Sequence, residues 1–236
     1  KHSIPAYISK DTTYLAGLIA GDGDIRKSGE TYSIRLSNSN RELHRIFQSI
    51  LKEEFALHYD FQKGSVIRPD ATRTHSKILK EILGSLGIPE SPKSSRVAMS
   101  QSLLHLSNEL LSHYLAGLYD TDGSVYIRKK IGSNCIDYTT CSEILARQLQ
   151  LVLLRFGIHA SIRKMNPSIG LIKGKLMKWI VEIRNLQDIK KFKDQIELRH
   201  PEKKEKLLLL ASLQKKNHTN IDNIPGLSNR LKKRLK

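Results

Sequence analysis

The sequence predicts an α+β fold of two pseudo-symmetric αββαββα halves, each with an antiparallel sheet, packed together through one repeated helix. Three observations carry this reading. A segment repeats at an offset of 100 residues: Tyr14-Leu15-Ala16-Gly17-Leu18 returns as Tyr114-Leu115-Ala116-Gly117-Leu118, and Asp22-Gly23 returns as Asp122-Gly123. Repeats at domain spacing determine architecture. The hydrophobicity patterns after each copy run in the same order, and a 236-residue chain that is 39% hydrophobic can bury a real core.

Residues 14–22 and 114–122 read as helices ending in glycine, with Gly23 and Gly123 expected in the left-handed conformation that follows many helices. Ala16-Gly17 and Ala116-Gly117 fall within these helices. A mid-helix glycine costs about 1 kcal/mol relative to alanine. Keeping it twice points to two helix backbones packed closely on each other. Residues 25–37 read as two strands around a turn at Ser28-Gly29, and 125–140 as two strands with a turn near Gly132-Ser133. Helices are expected over 41–54 and 143–156, the second with Leu145, Leu149, Val152 and Phe156 at helical spacing. Strand-like stretches follow at 57–68 and 160–184, then shorter helices at 75–86 and 186–196. The halves are therefore 10–100 and 101–213, with a basic C-terminal extension over 214–236 that includes a turn at Asn223-Ile224-Pro225-Gly226.

Forty Lys and Arg against 23 Asp and Glu give a formal charge of +17. Arg230, Lys232, Lys233, Arg234 and Lys236 account for five of these charges, and +12 remains without them, so the body itself is basic. Such a balance favours a polyanionic partner, usually nucleic acid. The aromatic content of 6% is low for stacking on single strands, which favours duplex. No run approaches the roughly 18 apolar residues of a membrane span, and the first ten residues carry no apolar secretory core. Two cysteines, Cys135 and Cys141, make neither a zinc set nor a disulfide framework. The expected location is intracellular: cytoplasm, nucleoid or organelle.

Asp22 and Asp122 each lie at a helix C-terminus, the negative end of the dipole, where an acid is disfavoured by a few tenths to about 1 kcal/mol. Parallel pairing of the helices would bring the two acids together. A divalent cation removes the conflict, and hard oxygen ligands suit Mg²⁺. A lone Asp-Gly is ordinarily a turn. Two copies in identical context on a basic chain point to metal-assisted phosphodiester hydrolysis.

Residues 15–23 (Leu-Ala-Gly-Leu-Ile-Ala-Gly-Asp-Gly) and 115–123 (Leu-Ala-Gly-Leu-Tyr-Asp-Thr-Asp-Gly) resemble the two motif copies of the LAGLIDADG homing endonucleases. The likeness spans about residues 10–213. It implies a monomer with the motif helices as central interface and two saddle-shaped sheets in the DNA major groove. Both strands are cut across the minor groove, leaving 3′ overhangs. It implies Asp22 and Asp122 as metal-binding catalytic acids, with Gly21 and Thr121 beside them in the metal site. The earlier motif acid is Asp120 in the second copy but Ala20 in the first, so that position is not required. The resemblance places an active-site lysine beyond the second helix of each half, matched by Lys93 and by Lys203 or Lys204. Mg²⁺ is the implied cofactor, with Mn²⁺ substituting and Ca²⁺ supporting binding with little cutting. No obligate protein partner is expected.

Strands that face DNA should alternate polar and apolar residues, as residues 34–36, 126–128 and 179–184 do. Groove contacts are expected from Arg26, Lys27, Arg35, Lys63, Arg68, Arg73, Arg128, Lys130, Arg163, Lys173 and Lys175. Asn40 and Ser142, just after the second strand of each half, match polar positions of the family's site. Two other functions fit the same fold: an RNA-splicing maturase and a non-catalytic DNA-binding regulator. Retention of Asp22 and Asp122 favours the nuclease. An intron, an intein or a free-standing gene could each encode it.

Overall fold

The computed structural model describes residues 7–127, 134–166 and 176–213. Each half folds in the predicted αββαββα order. The first comprises α1 (Lys10–Asp22), β1 (Gly23–Ser28), β2 (Thr31–Asn38), α2 (Arg41–Glu53), β3 (Asp60–Gln62), β4 (Asp70–His75) and α3 (Lys77–Ser85). A short α4 (Gln101–Leu104) leads into the second half: α5 (Asn108–Thr121), β5 (Gly123–Tyr126), β6 (Cys135–Thr140), α6 (Glu143–Arg155), β7 (Ser161–Met165), β8 (Lys178–Ile183) and α7 (Leu186–Gln195). A further helix, α8 (Pro201–Ser212), follows. Both sheets are wholly antiparallel and share one topology, β1-β2-β4-β3 and β5-β6-β8-β7. Among the described residues no helix is long and apolar enough to cross a membrane.

The repeated helices begin earlier than the repeat itself. Ser9 caps α1, its hydroxyl accepting from Thr12 N at 2.9 Å, and Ser107 caps α5 in the same way. Serine supplies an acceptor to the otherwise unpaired first-turn amides. The two helices lie against each other in parallel: Gly17 meets Gly117, and Gly21 meets Thr121. A methyl group built on Gly117 would strike the Tyr14 carbonyl and come within 2.8 Å of Leu18 N and 2.9 Å of Gly17 Cα. One built on Gly17 meets the equivalent atoms of the other helix, those of Tyr114, Gly117 and Leu118. Leu15, Leu18, Ile19, Leu115 and Leu118 are buried around this seam, so one core runs through both halves.

Two expectations need correction, and α4 and α8 lie outside the predicted pattern. Gly23 is extended (φ −93°, ψ 168°), and Gly123 is not among the glycines with positive φ. Their lack of a side chain serves space instead: a Cβ at either would sit 2.5–2.6 Å from the Cα of Ile19 or Tyr119, because each first strand turns back at once along its helix. The second hairpin of the first half is shifted along the chain, with β4 at Asp70–His75 pairing with Asp60–Gln62. Its core-facing residues are Thr72 and Thr74, both buried, so a search for apolar alternation passes over it. Helix α8 was not predicted at all. The turn at Gly132-Ser133 and the extension 214–236 lie outside the described residues.

Gly117→Ala should destabilise the protein by about 1–3 kcal/mol, since backbone atoms on both sides would have to move. Gly84, exposed in α3 with open space around it, is the control. There alanine should stabilise by about 0.5–1 kcal/mol. Urea denaturation of the two variants reads both, and equal effects would refute the close-contact account.

Candidate active site

Parallel pairing carries the C-terminal ends of α1 and α5 to one place, and Asp22 and Asp122 arrive there together. Asn38, at the end of β2, donates from Nδ2 to Asp22 Oδ2 at 2.6 Å. Asp122 remains open to solvent at the rim, yet its carboxyl pKa is raised to about 6. The surrounding protein displaces water and is the larger cause; the charge of Asp22 adds to it, and Lys93 and Lys203 oppose.

Two lysines cap the helix ends. The Lys93 ammonium is buried and donates to the carbonyls of Ala20 and Gly21, each at 2.5 Å. Lys203, in the first turn of α8, donates to the carbonyls of Tyr119, Asp120 and Thr121 at 3.0, 2.8 and 2.7 Å. A cation on the last carbonyls of a helix offsets the dipole that would otherwise disfavour the adjacent acid. Burial lowers the pKa of both lysines, while the nearby aspartates hold them up. Lys204 points away and pairs with Glu197 at 2.9 Å. Of the two second-half lysines, Lys203 is therefore the one beside the acids.

Asp120 has a different task from Asp122. It is fully buried and accepts from the Tyr14 hydroxyl at 2.6 Å and from the backbone amides of Arg199 and His200 at 2.8 and 3.0 Å. It thus ties the first helix to the segment that starts α8, and so places Lys203. Ala20 stands at the symmetry-related position, and the buried hydroxyl of Tyr114 has no hydrogen-bond partner among the described residues.

A cavity of about 340 Å³ opens beside Asp122, lined among others by Gly21, Lys93, Thr140, Cys141 and Lys178. Among the described residues no three His, Cys, Asp or Glu side chains cluster as a metal set. The two carboxylates are hard oxygen donors, and any remaining ligands would be water, phosphate or backbone oxygens such as those of Gly21 and Thr121. That composition fits Mg²⁺, which keeps several waters and uses one or two carboxylates.

The outward faces of the sheets carry several predicted contacts. Asp24, Arg35, Arg73 and Asp60 stand in one row across the first sheet by strand register, with Arg26 beyond. Arg35 donates to Asp24 Oδ2 at 2.6 Å and Arg26 to Asp24 Oδ1 at 3.1 Å. Lys27 lies near the Tyr32 ring; Lys63 and Arg68 are exposed in the β3–β4 connection. In the second sheet Arg163 and Arg184 both donate to Glu182, at 3.2 and 2.9 Å. Arg128, Lys130, Lys173 and Lys175 lie outside the described residues. Asn40 and Ser142 are helix caps rather than free groups. The Asn40 amide oxygen accepts from Glu42 N and Leu43 N, and the buried Ser142 hydroxyl donates to Val97 O at 2.7 Å. Their capping duty follows from their place just before α2 and α6. Asn38, two residues earlier, was missed, although it is the side chain that reaches Asp22.

A profile described as a LAGLIDADG-like domain matches residues 9–85 and 109–197. ATP-dependent DNA helicase Hel308 of Methanocaldococcus jannaschii is 31% identical over 209 residues, which cover 85% of this chain and 16% of the helicase. An A-type ATP synthase subunit from Methanopyrus kandleri is 28% identical over 206 residues, which cover 86% of this chain and 17% of that protein. The chain spans only about a sixth of the length of these curated relatives. Among solved structures, I-DmoI in complex with DNA and Mn superposes with a TM-score of 0.57 at 17% identity, covering 80% of this chain and 97% of that one. The homing endonuclease I-WcaI bound to its DNA recognition sequence gives 0.54 at 18% identity, covering 86% and 88%. These likenesses establish the fold.

Tyr14→Phe leaves an Asp120 oxygen short of a donor and should cost about 1.5–3 kcal/mol, the range for hydrogen bonds to charged groups. Tyr114→Phe removes an unpartnered buried hydroxyl and should be neutral or stabilising; a loss as large as that of Tyr14→Phe would contradict the pairing. The raised pKa of Asp122 means the folded state holds its proton more tightly than the unfolded chain does. Ionising it therefore costs stability, a cost absent below about pH 4, where unfolded carboxyls titrate, and complete above about pH 6. Asp122→Asn should raise the melting temperature of the metal-free protein at pH 8 and have little effect at pH 4. Equal shifts at both pH values would overturn this.

Proposed function

Because the chain belongs to the LAGLIDADG family, we propose that it is a site-specific double-strand DNA endonuclease that hydrolyses phosphodiester bonds with a divalent cation. The observation that carries this reading is the meeting of Asp22 and Asp122 at two adjoining helix ends, each flanked by a lysine on the same helix's last carbonyls. Retention of both acids favours cleavage over the maturase and regulator alternatives. The relatives' names, a helicase and part of an ATP synthase, share no activity, and this segment is a small part of each. That pattern supports an insertion with an activity of its own, as in an intein.

In this reading Asp22 and Asp122 would hold Mg²⁺, which would supply charge neutralisation at the phosphate and acidify water there. Mn²⁺ substitutes, and Ca²⁺ supports binding with little cutting. Asn38 keeps one Asp22 oxygen oriented. Lys93 and Lys203 add positive charge where the transition state gathers negative charge. The arginines on the two outward sheet faces supply duplex contacts in the major groove, and the minor groove then lies over the acids. One chain already provides both halves of the dyad, so the active species is a monomer.

A duplex recovered from a randomised library by Mg²⁺-dependent cleavage provides the test. Asp22→Asn and Asp122→Asn should each abolish double-strand cutting while leaving binding in Ca²⁺ largely intact, because affinity rests on the basic surface. Lys203→Ala should slow single-turnover cutting about 100- to 1000-fold, the usual loss for one transition-state contact. Lys204→Ala should cut at the wild-type rate. Wild-type cutting by either aspartate variant would remove the assignment, and equal loss in the two lysine variants would remove the distinction between them.

A further inference from the structure

Behind Asp22 lies a buried polar chain that the second half lacks. Asn38 reaches Asp22 through Nδ2, and its Oδ1 accepts from Asn40 N at 2.7 Å, so the amide cannot flip without losing both contacts. The main-chain oxygen of Asn38 takes a hydrogen bond from His44 Nε2 at 2.9 Å. A carbonyl only accepts, so Nε2 carries the proton. In the neutral ring Nδ1 is then the acceptor, and it takes the hydroxyl of Thr72 at 2.9 Å. Thr72 in turn accepts from Gln48 Nε2 at 3.1 Å. His44 and Thr72 are both buried, and the edge-on ring of Phe61 lies 5.5 Å from that of His44. Every donor in the chain has one acceptor, which fixes the imidazole in a single tautomer and orientation.

Strand register identifies the counterparts. Gly23 pairs with Leu36 and Gly123 with Tyr138, so Thr140 corresponds to Asn38. The caps Asn40 and Ser142 correspond, which sets Ala146 opposite His44. Leu36 pairs with Thr72 and Tyr138 with Val181, so Val181 replaces Thr72. The same architecture therefore closes with alanine and valine. Burying an imidazole and a hydroxyl is costly unless both are fully paired. The fold does not require them, and what they add in the first half is a fixed seat for Asn38.

We propose that His44 is a positioning residue for the Asp22 half of the site: it holds the Asn38 main chain so that the Asn38 amide clamps one Asp22 oxygen and leaves the other for a cation. The inference rests on the endonuclease reading for its consequence: with each aspartate serving the strand on its own side, cutting of one strand depends on His44 and cutting of the other does not.

The test uses the full chain, Mn²⁺ as probe and the library-selected duplex labelled on either strand. His44→Ala should weaken Mn²⁺ binding at one site about 10- to 100-fold, read by electron paramagnetic resonance, and should slow cutting of one strand by a like factor, so that nicked duplex accumulates. His44→Gln, whose amide can still donate to the Asn38 carbonyl, should restore most of both. Equal slowing of the two strands with unchanged Mn²⁺ binding would mean that His44 merely supports the fold, and would overturn the inference. A wild-type protein that cuts no duplex would instead refute the endonuclease reading, and the Mn²⁺ isotherms would still decide the role of His44.

Discussion

The whole molecule depends on the contact between the backbones of α1 and α5 at Gly17 and Gly117. With any side chain at these positions the helices would stand further apart, and their carboxylate-bearing ends would part with them. The closeness has an electrostatic consequence. Two negative helix ends and two acids converge in one place, and the fold answers with Lys93 and Lys203, each spent on the last carbonyls of the helix it serves. Burial, with the neighbouring charge of Asp22 added to it, still raises the pKa of Asp122 against the pull of the two lysines. A cation beside the two carboxylates would offset both.

The two halves share a topology but not a wiring. In the second half, a buried acid, Asp120, joins Tyr14 of the other helix to the start of α8. In the first half, Ala20 takes that position, and the Tyr114 hydroxyl has no hydrogen-bond partner among the described residues. Conversely, the first half has the His44–Thr72 chain, where the second has Ala146 and Val181. Each half has traded polar contacts for apolar ones at a different point. Such divergence is open to a single chain and closed to a symmetric homodimer, in which every substitution occurs twice.

Much of this was legible in the residues. The repeat gave the two helices, their close approach and the meeting of the acids, since identity at fixed spacing survives without any knowledge of packing. Hydrophobic periodicity found α2, α6 and α7, whose buried faces are mostly apolar, with His44 and Asp188 the polar exceptions. It failed at β4, where threonines face the core, their buried hydroxyls satisfied by His44, Gln48 and the His58 carbonyl. Asn38 could not be preferred to Asn40 without knowing that a residue immediately before a helix spends its side chain on the cap. Lys203 and Lys204 are neighbours in sequence and about a hundred degrees apart on α8, and only the docking of that helix decides between them. The glycines at 23 and 123 stand out in the sequence, but their cause is a steric limit set by Ile19 and Tyr119, not a backbone angle.

The outward faces of the sheets have a consequence for information. The first presents Asp24, Arg26, Arg35 and Arg73; the second presents Ser124 and Arg163, with Arg163 and Arg184 donating to the buried Glu182. A duplex laid across both would be read by two different alphabets. Its two arms need not be related by symmetry, so each base pair along it can carry its own message instead of repeating one from the opposite arm. For a given length of DNA, far more distinct sequences are available when the two arms are independent than when one arm must repeat the other. The seam of small residues that fuses the halves thereby widens the vocabulary of sites the molecule could single out.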